Sequence, residues 1–502
     1  MFRNAFATLI TLMILTGGSP LRAAAATRTA ATRTAATRAA TATTMPQQQQ
    51  RRFDVRAFGA AGDGVADDQP ALVRAAHAVA QNKGGVLYFP LGVYRCARQA
   101  GMQNGIEFLG VSDVTILFDP GAVLLMDNLD PKTGAGDRGH GILFRGPCHD
   151  VTLVNVAVKW AAKPAARSMG DAFRFEGFPS DDGCIANIRL LQCSAEQSPQ
   201  TGAVLMGCSD IDVENFRVTR SLADGLHFNA CRRIQICGLT GIETGDDTLS
   251  FATYFDEKQQ PLYGDPHGPF TRADLGEWNC AGSTATNIYA KGGGANGVRL
   301  AGALDVSLSN VIVQDKLRGI ICDCGKKEAN KHSWSWLASR GINISNLTAV
   351  GCHSGFFVSN FNQPMSDDND PWWRFDIQIA NLTARDCKNE SLFIGDAAGV
   401  AVRGVRAQNR GVRILHAREC TLGDVSLKTG PFLVEGHADA SAVTDAPDQQ
   451  LSIRNLDIDN GYLELTNCKG LTCTDVRITH PVGQGFRSTH VVASRVEGVS
   501  AE

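Results

Sequence analysis

The 502-residue sequence contains no run that approaches the ~20 apolar residues of a membrane helix, apart from a shorter one near its start. It also has no excess of basic residues and no acidic tail, and its formal net charge is −3. Long amphipathic stretches are scarce, whereas glycine is abundant at 52 residues. We therefore expect neither a membrane nor a nucleic-acid partner, and we expect many short strands joined by tight turns.

Zinc-like ligand spacing is missing as well. Cys322 and Cys324 have no second Cys/His pair at the spacing of a zinc site, and we expect no bound metal and no cofactor. The fifteen cysteines are an odd number, and several fall at equivalent places of a repeat, such as Cys208 and Cys231. Stacked buried thiols and a disulfide framework are both compatible with this pattern.

Residues 1–26 have the pattern of an export signal. Arg3 precedes an apolar run over residues 5–15, and small alanines follow as cleavage positions. Residues 27–52 repeat Thr-Arg-Thr-Ala-Ala and end in glutamines, which makes them a low-complexity linker with little to bury. We expect the protein to be exported, to the periplasm or outside the cell, with an ordered domain over residues 53–500.

One pattern recurs along this domain with a period near 23. The stretch from Cys208 to Asp224-Gly-Leu-His-Phe is repeated 23 residues later from Cys231 to Asp247-Thr-Leu-Ser-Phe, and degenerate copies follow. Each unit holds alternating apolar strands that cannot bury their own apolar face, so the units must stack about 4.8 Å apart as parallel sheets. The sequence predicts one elongated all-β solenoid, capped by an amphipathic helix over residues 68–81.

Several stretches break this period, and we expect them to form long loops that line a cleft. These stretches are roughly 127–139, 160–170, 252–282, 323–339 and 361–373. All six tryptophans lie in them, and aromatic side chains on the walls of a groove suit stacking against the apolar face of a sugar ring. Packing of the loops onto the solenoid is the alternative. The candidate sugar-binding tryptophans are Trp278, Trp334, Trp336, Trp372 and Trp373.

Alignment of the repeats places Asp224, Asp247, Asn296 and Arg318 at one position of the coil, with Asp246 beside Asp247. Equivalent positions on stacked coils form a column, so these side chains should be neighbours on one outer face. Clustered carboxylates repel one another, and proteins use such clusters to separate pKa values, keeping one group as an acid and another as a base. Gly-Asp-Asp alone is also ordinary turn chemistry, but the third aspartate in register favours catalysis.

These residues resemble a known family. Ala223-Asp224-Gly225 and Thr244-Gly245-Asp246-Asp247 are similar to the Asn-Thr-Asp and Gly-Asp-Asp motifs of glycoside hydrolase family 28, the polygalacturonases and their relatives. The segments that begin at Phe53 and Gly85 resemble the N-terminal region of the wider pectate-lyase-like superfamily. The resemblance spans about residues 53–325 and implies a single right-handed parallel β-helix that acts on a polysaccharide.

The family implies a role for each carboxyl group. Asp246 would be the general acid, and Asp224 and Asp247 would jointly activate water on the opposite face of the sugar, giving inversion. Inverting pairs are separated by roughly 6.5–9.5 Å, and the direction of the side chains decides whether that spacing occurs here. The expected substrate-binding residues, besides the tryptophans, are His227, Asn296, Arg299 and Arg318.

Three motifs of the family are incomplete. Leu222-Ala223-Asp224 stands for Asn-Thr-Asp. Gly294-Ala295-Asn296-Gly297 stands where Gly-His-Gly is expected, and Val298-Arg299-Leu300 and Leu317-Arg318-Gly319 only partly match Arg-Ile-Lys. The missing cationic groups argue against pectic carboxylates. Neutral α-glucans, the substrates of the related family 49 dextranases and isopullulanases, are the other candidates.

Three functions remain open. We favour a monomeric glycoside hydrolase. A uronan lyase or epimerase would abstract a proton beside a carboxylate and would need cationic groups. The available ones are Lys291, Arg299, Lys316 and Arg318. A non-catalytic carbohydrate-binding protein, in which the aspartates are relics, is the third.

Overall fold

The computed structural model describes residues 50–99, 104–136, 139–256, 270–271, 275–326, 334–360, 374–437, 443–444 and 448–502. The predicted export signal, almost all of the predicted linker, and Trp372 and Trp373 lie outside these residues. None of the described helices is long and apolar enough to cross a membrane.

The described chain is built almost entirely of short strands. It has a 3-10 helix, Val55–Phe58, and one α-helix, α1, Gln69–Gln81. The strands are β1 (Arg52–Asp54), β2 (Gly85–Phe89), β3 (Val93–Ala97), β4 (Ile106–Leu109), β5 (Val114–Phe118), β6 (Val123–Asp127), β7 (Ile142–Arg145), β8 (Cys148–Val154), β9 (Ala157–Trp160), β10 (Phe173–Glu176), β11 (Ile185–Leu191), β12 (Ser194–Glu196), β13 (Ala203–Met206), β14 (Cys208–Thr219), β15 (Leu226–Asn229), β16 (Arg232–Thr244), β17 (Leu249–Ala252), β18 (Ser283–Gly293), β19 (Asn296–Ala301), β20 (Val306–Gln314), β21 (Arg318–Cys324), β22 (Ile342–Val350), β23 (Ser354–Asn360), β24 (Arg374–Arg385), β25 (Leu392–Gly395), β26 (Ala398–Ala407), β27 (Val412–Leu415), β28 (Thr421–Leu427), β29 (Phe432–Glu435), β30 (Leu451–Asp459), β31 (Leu463–Thr466), β32 (Leu471–Thr479), β33 (Phe486–Thr489) and β34 (Arg495–Ala501).

The strands form two parallel sheets, of 20 and 14 strands within the described residues. The 14-stranded sheet contains β4, β7, β10, β13, β15, β17, β19, β21, β23, β25, β27, β29, β31 and β33, and the remaining strands form the other sheet. Each strand pairs with its counterpart in the next coil, as when Leu226 lies opposite Leu249. The fold is a right-handed parallel β-helix, as the sequence predicts, because a crossover between parallel strands of one sheet is right-handed.

Apolar side chains at the same position of successive coils fill the interior. Phe144 stacks between Phe108 and Phe175, with ring centroids 5.1 and 5.4 Å away. Phe228 and Phe251 repeat this contact at 5.6 Å. A single coil could not cover these rings, and the stack therefore holds the coils in register.

Helix α1 covers the first coils, as predicted. Its apolar stripe, including Leu72, Ala76 and Val79, is buried, and it packs against β1, β2 and β4. Asp68 precedes the helix, and its carboxylate accepts a hydrogen bond from the backbone N–H of Ala61 at 2.6 Å. The helix is thereby fixed to the first turn of the solenoid.

A column of left-handed residues marks the bend in the long strands of the 20-stranded sheet. Asn310, Asn346 and Asn381 have φ of 54, 57 and 64°. The Asn346 amide donates to Asn310 Oδ1 at 3.2 Å and accepts from the Asn381 amide at 3.1 Å. Asparagine suits this position because it tolerates the left-handed region and its amide can pair along the column.

All fifteen cysteines are free thiols, and all except Cys237 are buried. Burial raises the pKa of Cys231 and of Cys280 well above the usual value. The thiols fill the interior as small apolar groups, and of the two readings that the sequence allows the structure shows this one.

We expect Asn346→Ala to destabilise the domain by about 1–2 kcal/mol, because a side chain with Cβ and no amide is strained at positive φ. Asn346→Gly loses the amide pairing but not the backbone conformation, and should lower the thermal unfolding midpoint less. Asn343→Ala, on the exposed face of the same strand, is the control. Equal losses for the alanine and glycine variants at Asn346 would show that backbone conformation is not the cause.

Candidate active site

The predicted column exists. Leu226, Leu249 and Val298 are opposite one another in β15, β17 and β19, so Asp224, Asp247 and Asn296, each two residues earlier, are in register. Asn296 lies opposite Arg318. The backbone N–H of Asp247 donates to Asp224 Oδ1 at 3.1 Å, and that of Asn296 donates to Asp247 Oδ1 at 3.2 Å. Each carboxylate is thus held by the turn of the following coil.

The three carboxyl groups converge. One oxygen each from Asp224, Asp246 and Asp247 lies within 4.8 Å of the other two. Oxygens this close can share one water or one cation, but Arg167, Arg299 and Lys316 place positive charge beside them. This positive charge opposes the binding of a divalent cation and leaves the set suited to acid–base chemistry.

Asp224 and His227 form a buried pair. His227 Nδ1 lies 2.5 Å from Asp224 Oδ2, and both side chains are at least nine-tenths buried. Burial alone would raise the pKa of Asp224, but the hydrogen bond and charge of His227, with Arg167 and Arg299, hold it below its usual value. The Nε2 atom of His227 is buried with no hydrogen-bond partner among the described residues. Asp224 is therefore the carboxylate that stays ionised.

Asp246 and Asp247 are shifted in the opposite direction. Burial and the charge of Asp224 raise the pKa of Asp246, against the opposing effect of Arg167. The same two causes, with Asp246 added, raise the pKa of Asp247 well above its usual value. The side chain of Asp246 is 33 % exposed, whereas Asp247 is buried and accepts a hydrogen bond from the Asn296 amide at 2.7 Å. Asp246 is the protonatable group that a ligand can reach.

The turn that carries these two aspartates is packed tightly onto the preceding coil. A Cβ at Gly245 would lie 2.4 Å from the Leu222 carbonyl oxygen. Beneath the turn, Lys316 Nζ donates to Thr244 Oγ1 at 2.8 Å and to the Asp246 carbonyl at 3.0 Å. Burial lowers the pKa of Lys316 to about 8. This lysine fixes the backbone of the turn and does not line the cleft.

Arg167 is a site residue that the sequence did not identify. It lies in the loop over residues 161–168, which follows β9, and its Nη1 is 2.7 Å from Asp246 Oδ2. Its Nε donates to Gln200 Oε1 at 3.0 Å. Because 79 residues separate Arg167 from Asp246 and the loop is not part of the repeat, no sequence signal reveals this contact.

Arg299 is held from two sides. It makes a bidentate ion pair with Asp323, with distances of 3.0 and 2.7 Å, and lies over the Trp336 ring at 5.2 Å. Tyr254 packs beside it and against Trp334, with ring centroids 5.6 Å apart. Tyr254 follows β17 by two residues. Because it lies in the same coil as Asp247, the sequence could have identified it as a residue near the site.

These residues enclose a cleft of about 420 Å³. The side chains that line it are Arg167, Ser168, Met169, Gln200, Asp224, His227, Asp246, Asp247, Tyr254, Arg299 and Trp334. The structure thus brings together the three predicted aspartates and the predicted His227, Arg299 and Trp334.

The other predicted binding residues that the structure describes do not line the cleft. Asn296 is buried and bonded to Asp247, and Arg318 stacks on Phe357 at 4.3 Å. The prediction of sugar stacking is wrong for Trp278, which is buried and covered by the Arg232 guanidinium at 4.1 Å. It is also wrong for Trp336, which is 2 % exposed and lies behind Arg299.

Comparison with known families finds one match. The model described as rhamnogalacturonase A/epimerase, pectate lyase-like, matches residues 52–123. These residues form the first coils and exclude the carboxylate cluster. No curated protein matches the sequence.

Solved structures share the architecture at low identity. The N-terminal fragment of bacteriophage Phi29 gene product 12 is 15% identical over 89% of this chain and 72% of its own, with a TM-score of 0.53. The family 28 exopolygalacturonase of Yersinia enterocolitica is 14% identical over 90% of this chain and 78% of its own, with a TM-score of 0.46. The A-module of Azotobacter vinelandii mannuronan C-5 epimerase AlgE6 is 13% identical over 90% of this chain and 99% of its own, with a TM-score of 0.43. Identities this low show the fold alone.

We expect Arg167→Ala to raise the pKa of Asp246, because loss of a neighbouring positive charge favours the neutral acid. The measurement is a carboxyl ¹³C NMR titration of protein labelled at aspartate. Arg167→Lys keeps a charge on the loop and should shift the titration less. An unchanged titration of Asp246 in the alanine variant would contradict the observed ion pair.

Proposed function

We propose that this protein is an exported glycoside hydrolase that cleaves a polysaccharide through Asp224 and Asp246. The observation that carries the proposal is the different surroundings of two neighbouring carboxyl groups at the wall of one cleft. Asp224 accepts hydrogen bonds at both oxygens, from His227 and from the Asp247 N–H, whereas Asp246 is partly exposed and its pKa is raised by burial and by the charge of Asp224. Hydrolysis of a glycosidic bond needs this combination, because an acid must protonate the leaving oxygen while a base activates water.

Asp224 is the base in this proposal. Both of its oxygens accept hydrogen bonds, Oδ1 from the Asp247 N–H and Oδ2 from His227. A carboxylate held at both oxygens is a weak nucleophile, and this favours attack by water over attack by the carboxylate. His227 fixes the orientation of Asp224 and stabilises its charge.

Asp246 is the acid. It reaches the cleft, and the charge of Asp224 opposes its ionisation. The family resemblance implies that Asp247 shares the base role with Asp224, but the upward displacement of its pKa argues against this. We instead assign Asp247 to positioning, since it receives the Asn296 amide and holds its N–H on Asp224.

The spacing of the carboxyl groups bears on stereochemistry. The nearest oxygens lie within 4.8 Å, which is closer than the roughly 6.5–9.5 Å between the carboxyl groups of most inverting enzymes and nearer to the roughly 5–5.5 Å of retaining enzymes. A water 2.8 Å from each of two oxygens, a normal hydrogen-bond distance, still fits when those oxygens are up to about 5.6 Å apart. One water can therefore fit beside Asp224. Because both oxygens of Asp224 already accept hydrogen bonds, we propose that this water, and not Asp224, attacks the sugar, with inversion.

The contacts of the cationic groups support a hydrolase over a lyase or epimerase. Those reactions need a base beside a uronate carboxylate and positive charge to bind that carboxylate. Lys316 is engaged beneath the turn, Arg299 is paired with Asp323, and Arg167 is paired with Asp246. An ultraviolet-absorbing unsaturated product would select the lyase.

Two further observations support the proposal. The family model that matches residues 52–123 is described for a rhamnogalacturonase and epimerase. The pattern over residues 1–26 fits export, which would bring the enzyme to polymers outside the cytoplasm. The sugar class remains to be selected by a panel of pectic, α-glucan and microbial polysaccharides.

Asp246→Asn should reduce turnover by about 100-fold or more and leave substrate binding nearly intact, because general acid catalysis contributes about that factor in the transition state. Reducing-end release and binding of the same polysaccharide are the two measurements. Asp212→Asn, half-buried on the outer face of β14, is the matched control. Wild-type turnover in the Asp246 variant would remove the assignment.

The first product should carry the anomeric configuration opposite to that of the cleaved bond, because a water and not Asp224 attacks the sugar. ¹H NMR at early times, before mutarotation, measures the anomer directly. A retained configuration would instead identify a covalent intermediate on one of the aspartates.

A further inference from the structure

We infer that the cleft is closed on its N-terminal side, so that only the terminal sugars of a polysaccharide chain reach Asp224 and Asp246 and the enzyme acts from a chain end. This inference rests on the proposed function and adds its mode of action. It follows from how the outer face of the 14-stranded sheet is covered before and after the cleft.

The outer face is buried in the coils before the site. Val204 lies directly opposite His227, and Arg174 and Leu143 continue the same row toward the N-terminus. Arg174 and Val204 have no solvent exposure, and Leu143 is 3 % exposed. A chain that extended from the carboxylates along this row would have to displace packed protein.

Val204 packs in a cluster that includes Phe270 and Trp278, and the 161–168 loop and its neighbours form a second layer at the N-terminal ends of these strands. The Ser168 N–H donates to the Pro199 carbonyl at 3.0 Å, and the Gly136 N–H donates to Ser168 Oγ at 2.7 Å. The Ala165 N–H donates to the Gly134 carbonyl at 3.0 Å. The loop is thus tied both to the segment before β7 and to the turn before β13.

This layer leaves no space for a sugar. A Cβ at Gly136 would lie 1.9 Å from the Met169 carbonyl oxygen and 2.8 Å from Pro199. Arg167 extends from the layer to Asp246, so its guanidinium forms the end wall of the cleft. Gln200 fixes that guanidinium from below. Arg167, Gln200 and Met169 are consequently the residues placed to contact a terminal sugar.

Among the described residues, the row on the C-terminal side is buried in the first coil and half-buried beyond it. It continues from Arg299 to Ile321, which is 2 % exposed, and then to Phe357 and Phe393, whose side chains are half-buried. Arg413 and Leu433, further along the row, are also half-buried. The remainder of a polysaccharide chain can therefore extend in this direction.

The size of the cleft agrees with an end-binding site. Its volume of about 420 Å³ corresponds to roughly fourteen waters at about 30 Å³ each. That space accommodates one or two sugar rings and no long segment of polymer. The product of each cleavage should accordingly be a mono- or disaccharide.

The test follows viscosity and reducing ends together during digestion of dextran, pullulan and polygalacturonate by the full-length protein. Attack from chain ends lowers viscosity slowly for each reducing end formed, and one short product dominates from the first time point. The double variant R167G/M169G removes the end wall and should increase the viscosity loss per reducing end several-fold. R189G, on the outer face of the 20-stranded sheet, is the matched control and should behave as wild type.

Each outcome is decisive. Slow viscosity loss with one short product in the wild type supports the inference, and rapid viscosity loss with a ladder of products overturns it while leaving the proposed function intact. Absence of new reducing ends from all three polymers counts against the proposed function and the inference with it. If the double variant loses its far-UV circular dichroism spectrum, the wild-type product profile decides alone.

Discussion

The pairing of each strand with its counterpart one coil away is the constraint on which this structure depends. Parallel pairing fixes the distance between equivalent residues at about 4.8 Å. Each side chain therefore contacts the side chains at the same position of the coils before and after it. Inside the solenoid this is favourable, because phenylalanine rings such as Phe144 and Phe175 stack. At the bends it suits asparagine, whose amide is both donor and acceptor. On the outer face it forces charged groups together.

Asp224 and Asp247 show how the outer face resolves that conflict. Two ionised carboxylates one coil apart would repel strongly at a site from which water is largely excluded. The environment makes them unequal: His227 stabilises the charge on Asp224, whereas Asp247 receives a neutral amide from Asn296. The acid–base pair that we propose is thus a consequence of the register together with two different neighbours, one histidine and one asparagine.

The register and its consequences can be predicted from the sequence, because the repeat states which residues are one coil apart. That is why the column from Asp224 to Arg318 was predictable. The stripe of α1 was predictable for a different reason, the helical spacing of its apolar residues. The contacts of the loops were not. Arg167 comes from a segment without periodicity, and Trp278 is buried in a local cluster with Phe270 and Leu275 that forms only when the loop folds back. An aromatic residue outside the repeat has the same signature whether it binds sugar or packs a loop.

Asp171 shows that register alone does not place a carboxylate in the cleft. It occupies the same position of the coil as Asp224, two coils earlier, and accepts the Thr201 N–H at 3.0 Å just as Asp224 accepts that of Asp247. It is 1 % exposed and paired with His140 and Arg174. Burial alone would raise its pKa, but these two partners hold it below the usual value. Asp171 and Asp224 are the same residue type in the same column, and each has a histidine partner. They differ in that Asp171 is covered, whereas Asp224 lines the cleft. Function on this solenoid is therefore placed by the loops, which decide where the repeating outer face meets a ligand.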